Sequence, residues 1–311
     1  MGRLLAIDWG STAMRGALLD DASGAVIEER ACARGLLNLG SEGFEGALRE
    51  EFGDWLACAG TRCLMAGMVG SRQGWVEAPY VPCPAGLGDF VAGLQRVPFG
   101  AGESARDLAI VPGACCEHDD GVPDVLRGEE VKFLGAIETL AIDGATLLSP
   151  GTHSKWATIE HGRLVRFTTT MSGELYALLR HHSILARSLP AEDGALDGTA
   201  FDDGVRRALA GSGLLQTAFG VRSLALFERL TPAALASCLS GLVIGEAVRW
   251  PGLAGVASVV VVGAPVLTER FARALALRGV ATQILDEAAA WRGLWTIDCA
   301  RRGVATKENR S

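Results

Sequence analysis

Residues 4–12 read Leu4-Leu5-Ala6-Ile7-Asp8-Trp9-Gly10-Ser11-Thr12. Four apolar residues, a carboxylate and a Gly-Ser-Thr turn describe a buried strand that ends on an acid. A second apolar run follows over 15–19, a polar turn over 20–24 and a third run over 26–31. Short strands joined by tight polar turns predict an antiparallel meander. The plan recurs further on. A strand is expected over 146–149, then a Pro150-Gly151-Thr152 turn, then strands over 155–159 and 164–170 with His161-Gly162 between them. This is an architectural echo rather than a sequence repeat.

Between the two meanders, a helix is expected over 42–57. A buried strand over 64–69 should lead into Gly70-Ser71-Arg72, and another should cover 108–111. Residues 123–140 read as a helix with Pro123 in its first turn, because Val125, Val131, Leu134, Ile137 and Leu140 share one face. The stretch 172–250 is mostly helical, with Thr231 as a cap before Pro232. A strand over 258–262, a helix over 266–277 and a last helix over 287–301 complete the chain. Long linkers and low-complexity stretches are absent. The expected seam lies near residue 140, giving halves 1–140 and 141–311 of an α/β protein.

Composition narrows the function. The 311 residues are 49% hydrophobic, which supports a large core and argues against disorder. The net charge of −7 argues against a broadly basic nucleic-acid surface. The most apolar window, 252–267, is interrupted by Gly263 and Pro265, and is shorter than the roughly 20 residues of a spanning helix. The N-terminal segment lacks the features of a secretory signal, so a cytoplasmic protein without membrane association is expected. The 8 cysteines form no CxxC spacing, which fits reduced thiols there. The 40 glycines exceed the roughly 7% norm without a three-residue period, so many turns and close backbone approaches are expected.

Five segments can carry chemistry. In Asp8–Thr12, glycine lets backbone N–H groups approach phosphate oxygens while Asp8 can hold hydrated Mg²⁺; a solvated hairpin turn fits the same residues. Pro150-Gly151-Thr152-His153-Ser154-Lys155 is a second loop of that kind, with Lys155 adding charge; a polar turn is the alternative. Arg127-Gly128-Glu129-Glu130 opens an apolar helical segment. One glutamate there could be a general base, although acids in a first helical turn need no function. Gly67-Met68-Val69-Gly70-Ser71-Arg72-Gln73-Gly74-Trp75 offers hydroxyl and carboxylate recognition through Ser71, Arg72, Gln73 and Trp75. Val259–Val262 with Gly263 and Ala264 is a buried strand ending on glycine, common in nucleotide-binding α/β folds. GxxxxGK[ST] and GxGxxG are both absent, which disfavours P-loop and dinucleotide sites.

Taken in order, these segments resemble the sugar-kinase, heat-shock-protein-70 and actin superfamily. The strings AIDWGST (6–12) with Arg15, GMVGSRQGWVEAPYVPCPAG (67–86), PDVLRGEEVKFLGA (123–136), SPGTHSKWA (149–157) and TTTMSGELYALLRHHSIL (168–185) closely resemble the 2-dehydro-3-deoxygalactonokinase family over about residues 4–295. The resemblance implies two ribonuclease H-like (actin-like ATPase) domains with an interdomain cleft. It implies ATP and Mg²⁺ as cofactors and a sugar acid, 2-dehydro-3-deoxy-galactonate, phosphorylated at its 6-hydroxyl in galactonate and galactose breakdown. A kinase for another sugar or sugar acid on the same fold is the rival. Asp8 would hold the metal. Gly10, Ser11, Thr12, Gly151, Thr152 and Lys155 would cradle phosphates, and Gly263 and Ala264 would admit adenine. Arg15, Ser71, Arg72, Gln73 and Trp75 would bind the sugar acid. The superfamily usually places Asp where Glu129 stands, so Glu129 is the expected base and Asp124 and Glu130 are its rivals. A sugar-sensing regulator would need a helix-turn-helix, for which the residues before the first strand and after Arg301 are expected to be too few. The oligomeric state is open, a homodimer being one option.

Overall fold

The computed structural model describes residues 2–100 and 107–303. The elements in chain order are β1 (Arg3–Trp9), β2 (Met14–Asp20), β3 (Val26–Cys32), α1 (Gly43–Ala57), β4 (Thr61–Gly67), β5 (Tyr80–Pro82), α2 (Leu87–Ala92), β6 (Gln95–Val97), β7 (Leu108–Ile110), β8 (Gly113–Glu117), β9 (Pro123–Leu126) and α3 (Glu129–Leu140). They continue with β10 (Gly144–Ser149), β11 (Ser154–Glu160), β12 (Arg163–Thr170), α4 (Ser172–His182), α5 (Gly198–Leu209), α6 (Leu214–Thr217), α7 (Phe219–Leu226), α8 (Pro232–Val248), β13 (Ser258–Val262), α9 (Pro265–Leu277), β14 (Ala281–Leu285) and α10 (Ala288–Arg301).

The first sheet runs β3-β2-β1-β4-β7-β6. Strands β1, β2 and β3 pair antiparallel, as the meander predicts, whereas β4 pairs parallel with β1 and β7 parallel with β4. The second sheet runs β12-β11-β10-β13-β14, with β13 parallel to β10 and β14 parallel to β13. Strand order 3-2-1 followed by parallel additions therefore occurs twice, which is the duplicated plan of the actin-like ATPase fold. His161 and Gly162 join β11 to β12 at φ 51° and 64°, the positive-φ pair that suits a two-residue hairpin turn.

Contacts divide the chain into two units. The described residues up to Ala145 join Ala157–Thr168 and the segment from Glu287 in one; Thr146–Trp156 and Thr169–Asp286 form the other. A single cut near 140 therefore does not describe the packing: the last helix belongs to the first unit. Helix α10 lies against α3 so closely that a side chain on Gly135 would meet the Ala289 carbonyl, and one on Gly293 would meet that of Val131. Buried Asp298 on α10 accepts from Arg62 at 3.0 Å and from Arg301 at 2.9 Å, fixing the helix to β4. In the second unit α5 and α8 use the same device, with Gly204 against the Cys238 carbonyl and Gly241 against Phe201. Some of the glycines thus serve helix crossings.

The first core gathers Leu5, Ile7, Trp9, Phe52, Met65 and Ile110, and the second Leu148, Trp156, Phe201, Val261 and Phe271. One expected element changes. Residues 123–126 are strand β9, paired antiparallel with β8, and the helix starts only at Glu129. Gly128 at φ 105° breaks the chain between them, and Val125, assigned by periodicity to the apolar helical face, is 45% exposed. Strands β5, β6, β8 and β9 carry no strong pattern because each is short. The cysteines are all free, and no helix among the described residues is long and apolar enough to cross a membrane.

Candidate active site

Asp8 is the penultimate residue of β1, opposite Ala66, while Trp9 faces Gly67 across the parallel pair. A side chain on Gly67, at φ 97°, would meet the Trp9 carbonyl at 2.7 Å and Asp8 Oδ1 at 3.4 Å. A side chain on Gly128 would lie 3.2 Å from Gly67 Cα. The two glycines therefore stack the end of β1, the end of β4 and the start of α3 into one corner, which puts Asp8 and the α3 glutamates in the same neighbourhood. Only glycine takes these positive φ angles without strain and leaves the backbone this close.

The loop after Asp8 is pinned from behind. The carbonyls of Gly10, Ser11 and Thr12 accept from Leu36 N, Leu37 N and Asn38 Nδ2 at 3.0, 2.9 and 2.9 Å. Trp9 is buried and donates its indole N–H to the Arg34 carbonyl at 2.7 Å. Arg15 donates to Asp8 Oδ2 at 2.6 Å and pairs with Glu287. It thus orients the carboxylate, a role that spacing alone did not suggest.

The two glutamates of α3 differ sharply. Glu129 is partly exposed and its Oε2 accepts from the Arg127 backbone N–H at 3.2 Å. Glu130 is 0% exposed, its Oε2 accepts from Gly128 N–H at 2.6 Å, and its Oε1 is buried without a partner. Burial, reinforced by the neighbouring Glu129 charge, pushes the Glu130 carboxyl up to about 8. A buried acid of that kind is protonated at neutral pH and out of reach of a substrate. Asp124 sits in β9 with its carboxylate on His118 at 3.3 Å. Of the three rivals, only Glu129 combines access with a place in the Asp8 corner.

The loop after β4 gives a mixed outcome. The Arg72 side chain is 90% exposed and pairs with Glu77 at 3.4 Å. Gln73 is exposed, and the Ser71 hydroxyl is buried without a partner. Trp75 packs into the first core, stacked on Phe44 with ring centroids 6.3 Å apart. Sequence reasoning assigned no role to the side chain of Arg127. Its Nη2 donates to the Ala78 carbonyl at 2.8 Å and its guanidinium lies 4.3 Å from the Tyr80 ring centroid, tying this loop to the start of α3.

In the second unit, Gly151 N donates to Ser154 Oγ at 3.3 Å, Ser154 Oγ meets Ser172 Oγ at 2.7 Å, and Glu174 N donates to the Thr152 carbonyl at 3.0 Å. The loop 150–155 is thereby clamped to α4. Thr152 is exposed, but Lys155 is only 7% exposed and donates to Thr169 Oγ1 at 2.8 Å. Gly263 closes β13 beside Pro150, and its N–H donates to the Leu285 carbonyl at 3.1 Å; Ala264 precedes α9 as its N-cap.

The sequence profile of the 2-keto-3-deoxy-galactonokinase family matches residues 8–297. The chain belongs to this family. A Rhizobium meliloti (strain 1021) protein named "Probable 2-dehydro-3-deoxygalactonokinase DgoK1" is 32% identical over 308 residues, covering 95% of this chain and 99% of that protein. The 2-dehydro-3-deoxygalactonokinase of Escherichia coli (strain K12) is 35% identical over 246 residues, 79% of each chain. A crystal structure from Sinorhizobium meliloti, described under the same enzyme name, superposes with a TM-score of 0.87 at 32% identity over 96% of this chain and 98% of that one. The ADPNP-bound activator of 2-hydroxyisocaproyl-CoA dehydratase from Clostridium difficile, at a TM-score of 0.52, 14% identity and coverage of 97% and 96%, shares the fold.

Proposed function

We propose that this protein transfers the γ-phosphoryl group of ATP to the 6-hydroxyl of 2-dehydro-3-deoxy-D-galactonate. The observation that carries the reading is the family match over nearly the whole chain, and the Asp8–Gly67–Gly128–Glu129 corner fits the chemistry it requires. Glu129 orients the substrate hydroxyl and takes its proton as the new O–P bond forms and the bond to the departing ADP breaks. The Arg127 N–H holds the receiving carboxylate in place. Glu130, neutral and buried, adds no second charge beside it.

Asp8 suits a magnesium ion carried in with the nucleotide. One carboxylate is enough where phosphates and water supply the remaining ligands, and among the described residues no group of three or more His, Cys, Asp or Glu could hold a metal by itself. Bound there, the ion neutralises phosphate charge. Arg15 keeps Asp8 aimed. Gly10, Ser11, Thr12, Gly151 and Thr152 are assigned to the phosphates, and Gly263 and Ala264 to the adenosine. Ser71, Arg72 and Gln73 read the carboxylate and hydroxyls of the sugar acid. Trp75 acts from the core, by holding that loop.

The free thiols agree with a cytoplasmic location. The exposed side chains of Leu215, Phe219, Leu226 and Phe227 would be covered in a homodimer. By chain order, residues 1–140 and 141–311 are read as the two copies of the duplicated fold, although by packing the last helix, α10, belongs with the first unit.

The test is a panel of acceptors in a coupled ADP-release assay: 2-dehydro-3-deoxy-galactonate, its gluconate epimer, galactose and glycerol. The galactonate compound is expected to have the highest kcat/KM. A preference for another acceptor overturns the substrate assignment, and acceptor-independent phosphate release overturns the kinase reading. Glu129→Gln should lower kcat by about 10²-fold or more while nucleotide still binds; near-normal turnover removes Glu129 as the base.

A further inference from the structure

Where α7 ends and α8 begins, the second unit holds a cavity of about 510 Å³. None of the residues assigned above to nucleotide or sugar acid lines it. Arg187, Ser188, Arg222 and Glu228 give it polar groups, and Leu230 and Leu235 give it carbon surface. We propose that this cavity is a further ligand site, built for a sugar that carries a single phosphate.

The cations set one half of the ligand's chemistry. Arg222 Nη1 donates to Ser188 Oγ at 2.6 Å, which fixes that guanidinium on the wall. Arg187 is exposed next to Ser188, at the end of the short turn Ile184–Ser188. Among the described residues neither arginine pairs with a carboxylate, so both charges are left to attract an anion. The 17-residue helix α8 also starts here: Thr231 and Pro232 line the cavity, and Thr231 Oγ1 caps the helix by accepting from Ala234 N at 3.3 Å. The positive end of that helix adds to the two guanidinium groups. A phosphate suits such a wall, because guanidinium donors meet its oxygens in pairs through charge-assisted hydrogen bonds.

The remaining lining asks for more than a phosphate. Glu228 is exposed, stands at φ 52° just after α7, and forms no ion pair with Arg187 or Arg222 among the described residues. Its carboxylate can only accept hydrogen bonds, so it favours ligand hydroxyls and disfavours a second anionic group. Leu230 and Leu235 suit the C–H face of a sugar. The volume falls within the range of roughly 300–1,000 Å³ usual for small-molecule sites, more than a lone phosphate ion fills. One phosphate, several hydroxyls and a carbon face together describe a sugar monophosphate.

The test is calorimetric titration of the full chain with glucose 6-phosphate as the probe, and with glucose and inorganic phosphate as its two halves. Glucose 6-phosphate should bind about tenfold or more tighter than either half. Arg187→Glu, a charge reversal at an exposed position, should weaken it by about tenfold or more. Arg222→Lys keeps a cation but not the paired donors, and should give a smaller loss in the same direction. Arg72→Ala, in the loop assigned to the sugar acid, should leave this affinity unchanged. Absence of binding by glucose 6-phosphate at millimolar concentration overturns the proposal, and so does unchanged affinity in Arg187→Glu. Inorganic phosphate binding as tightly as glucose 6-phosphate overturns the sugar assignment. A loss in Arg72→Ala without one in Arg187→Glu overturns it too, by placing the probe in the acceptor site. None of these outcomes touches the kinase reading, which the acceptor panel tests separately.

Discussion

Glu130→Gln gives a direct reading of how the Asp8 corner manages its charge. The wild-type carboxyl is fully buried, accepts one backbone N–H, and is pushed by that burial up to about 8 from the 4.5 of a free glutamate side chain. Because the folded-state value is the higher one, the folded protein holds a proton that the unfolded chain releases between these limits. Its contribution to stability is complete below about pH 4.5 and is lost progressively as pH rises toward 8. Integrating over the window from about pH 5 to about pH 8 gives a loss of about 3 kcal/mol from this one group. Glutamine keeps the shape and the acceptor for Gly128 N–H but has no proton to lose. Urea unfolding of both proteins at the two pH values should show the Glu130→Gln advantage growing by that amount. A stability difference independent of pH would refute the assignment of a buried, protonated Glu130. The same variant should keep most of its kinase activity, because Glu130 has no access to a substrate; loss of activity matching that of Glu129→Gln would reopen the choice of base.

Two further outcomes follow from the geometry. Asp8→Asn retains an acceptor for Arg15 but loses the charge, so the magnesium concentration for half-maximal activity should rise about tenfold with thermal stability little changed; an unaltered magnesium requirement would separate Asp8 from the metal. Gly135→Ala drives a methyl group into the Ala289 carbonyl on α10 and should cost about 2 kcal/mol or more in unfolding experiments; a neutral result would mean that α3 and α10 are not in tight contact.

The local pattern carried far into this protein. Alternation of apolar runs and polar turns was enough to place β1 to β3 and β10 to β12, since strand periodicity and turn chemistry act over a few residues. Gly10, Gly128 and Gly151 could be singled out because loops that must approach a ligand or turn sharply need glycine. The family strings supplied the rest of the functional reading, including Glu129 on the connecting helix.

Tertiary structure decided what depends on partners far along the chain. Residues 123–126 joined a sheet because β8 was there to pair with them, overriding a helical periodicity read over 123–140, so that the helix begins only after Gly128. Arg15 turned toward Asp8 and Glu287, Trp75 entered the core beside Phe44, and Lys155 was buried against Thr169. The last helix packed on α3, although the two are widely separated in sequence. Residue types and spacings specify which chemistry is at hand and which backbone shapes are cheap. Whether a given side chain is exposed, sealed or paired depends on what the fold brings against it, so Glu129 and Glu130, adjacent and alike in sequence, become a partly exposed carboxylate and a buried neutral acid.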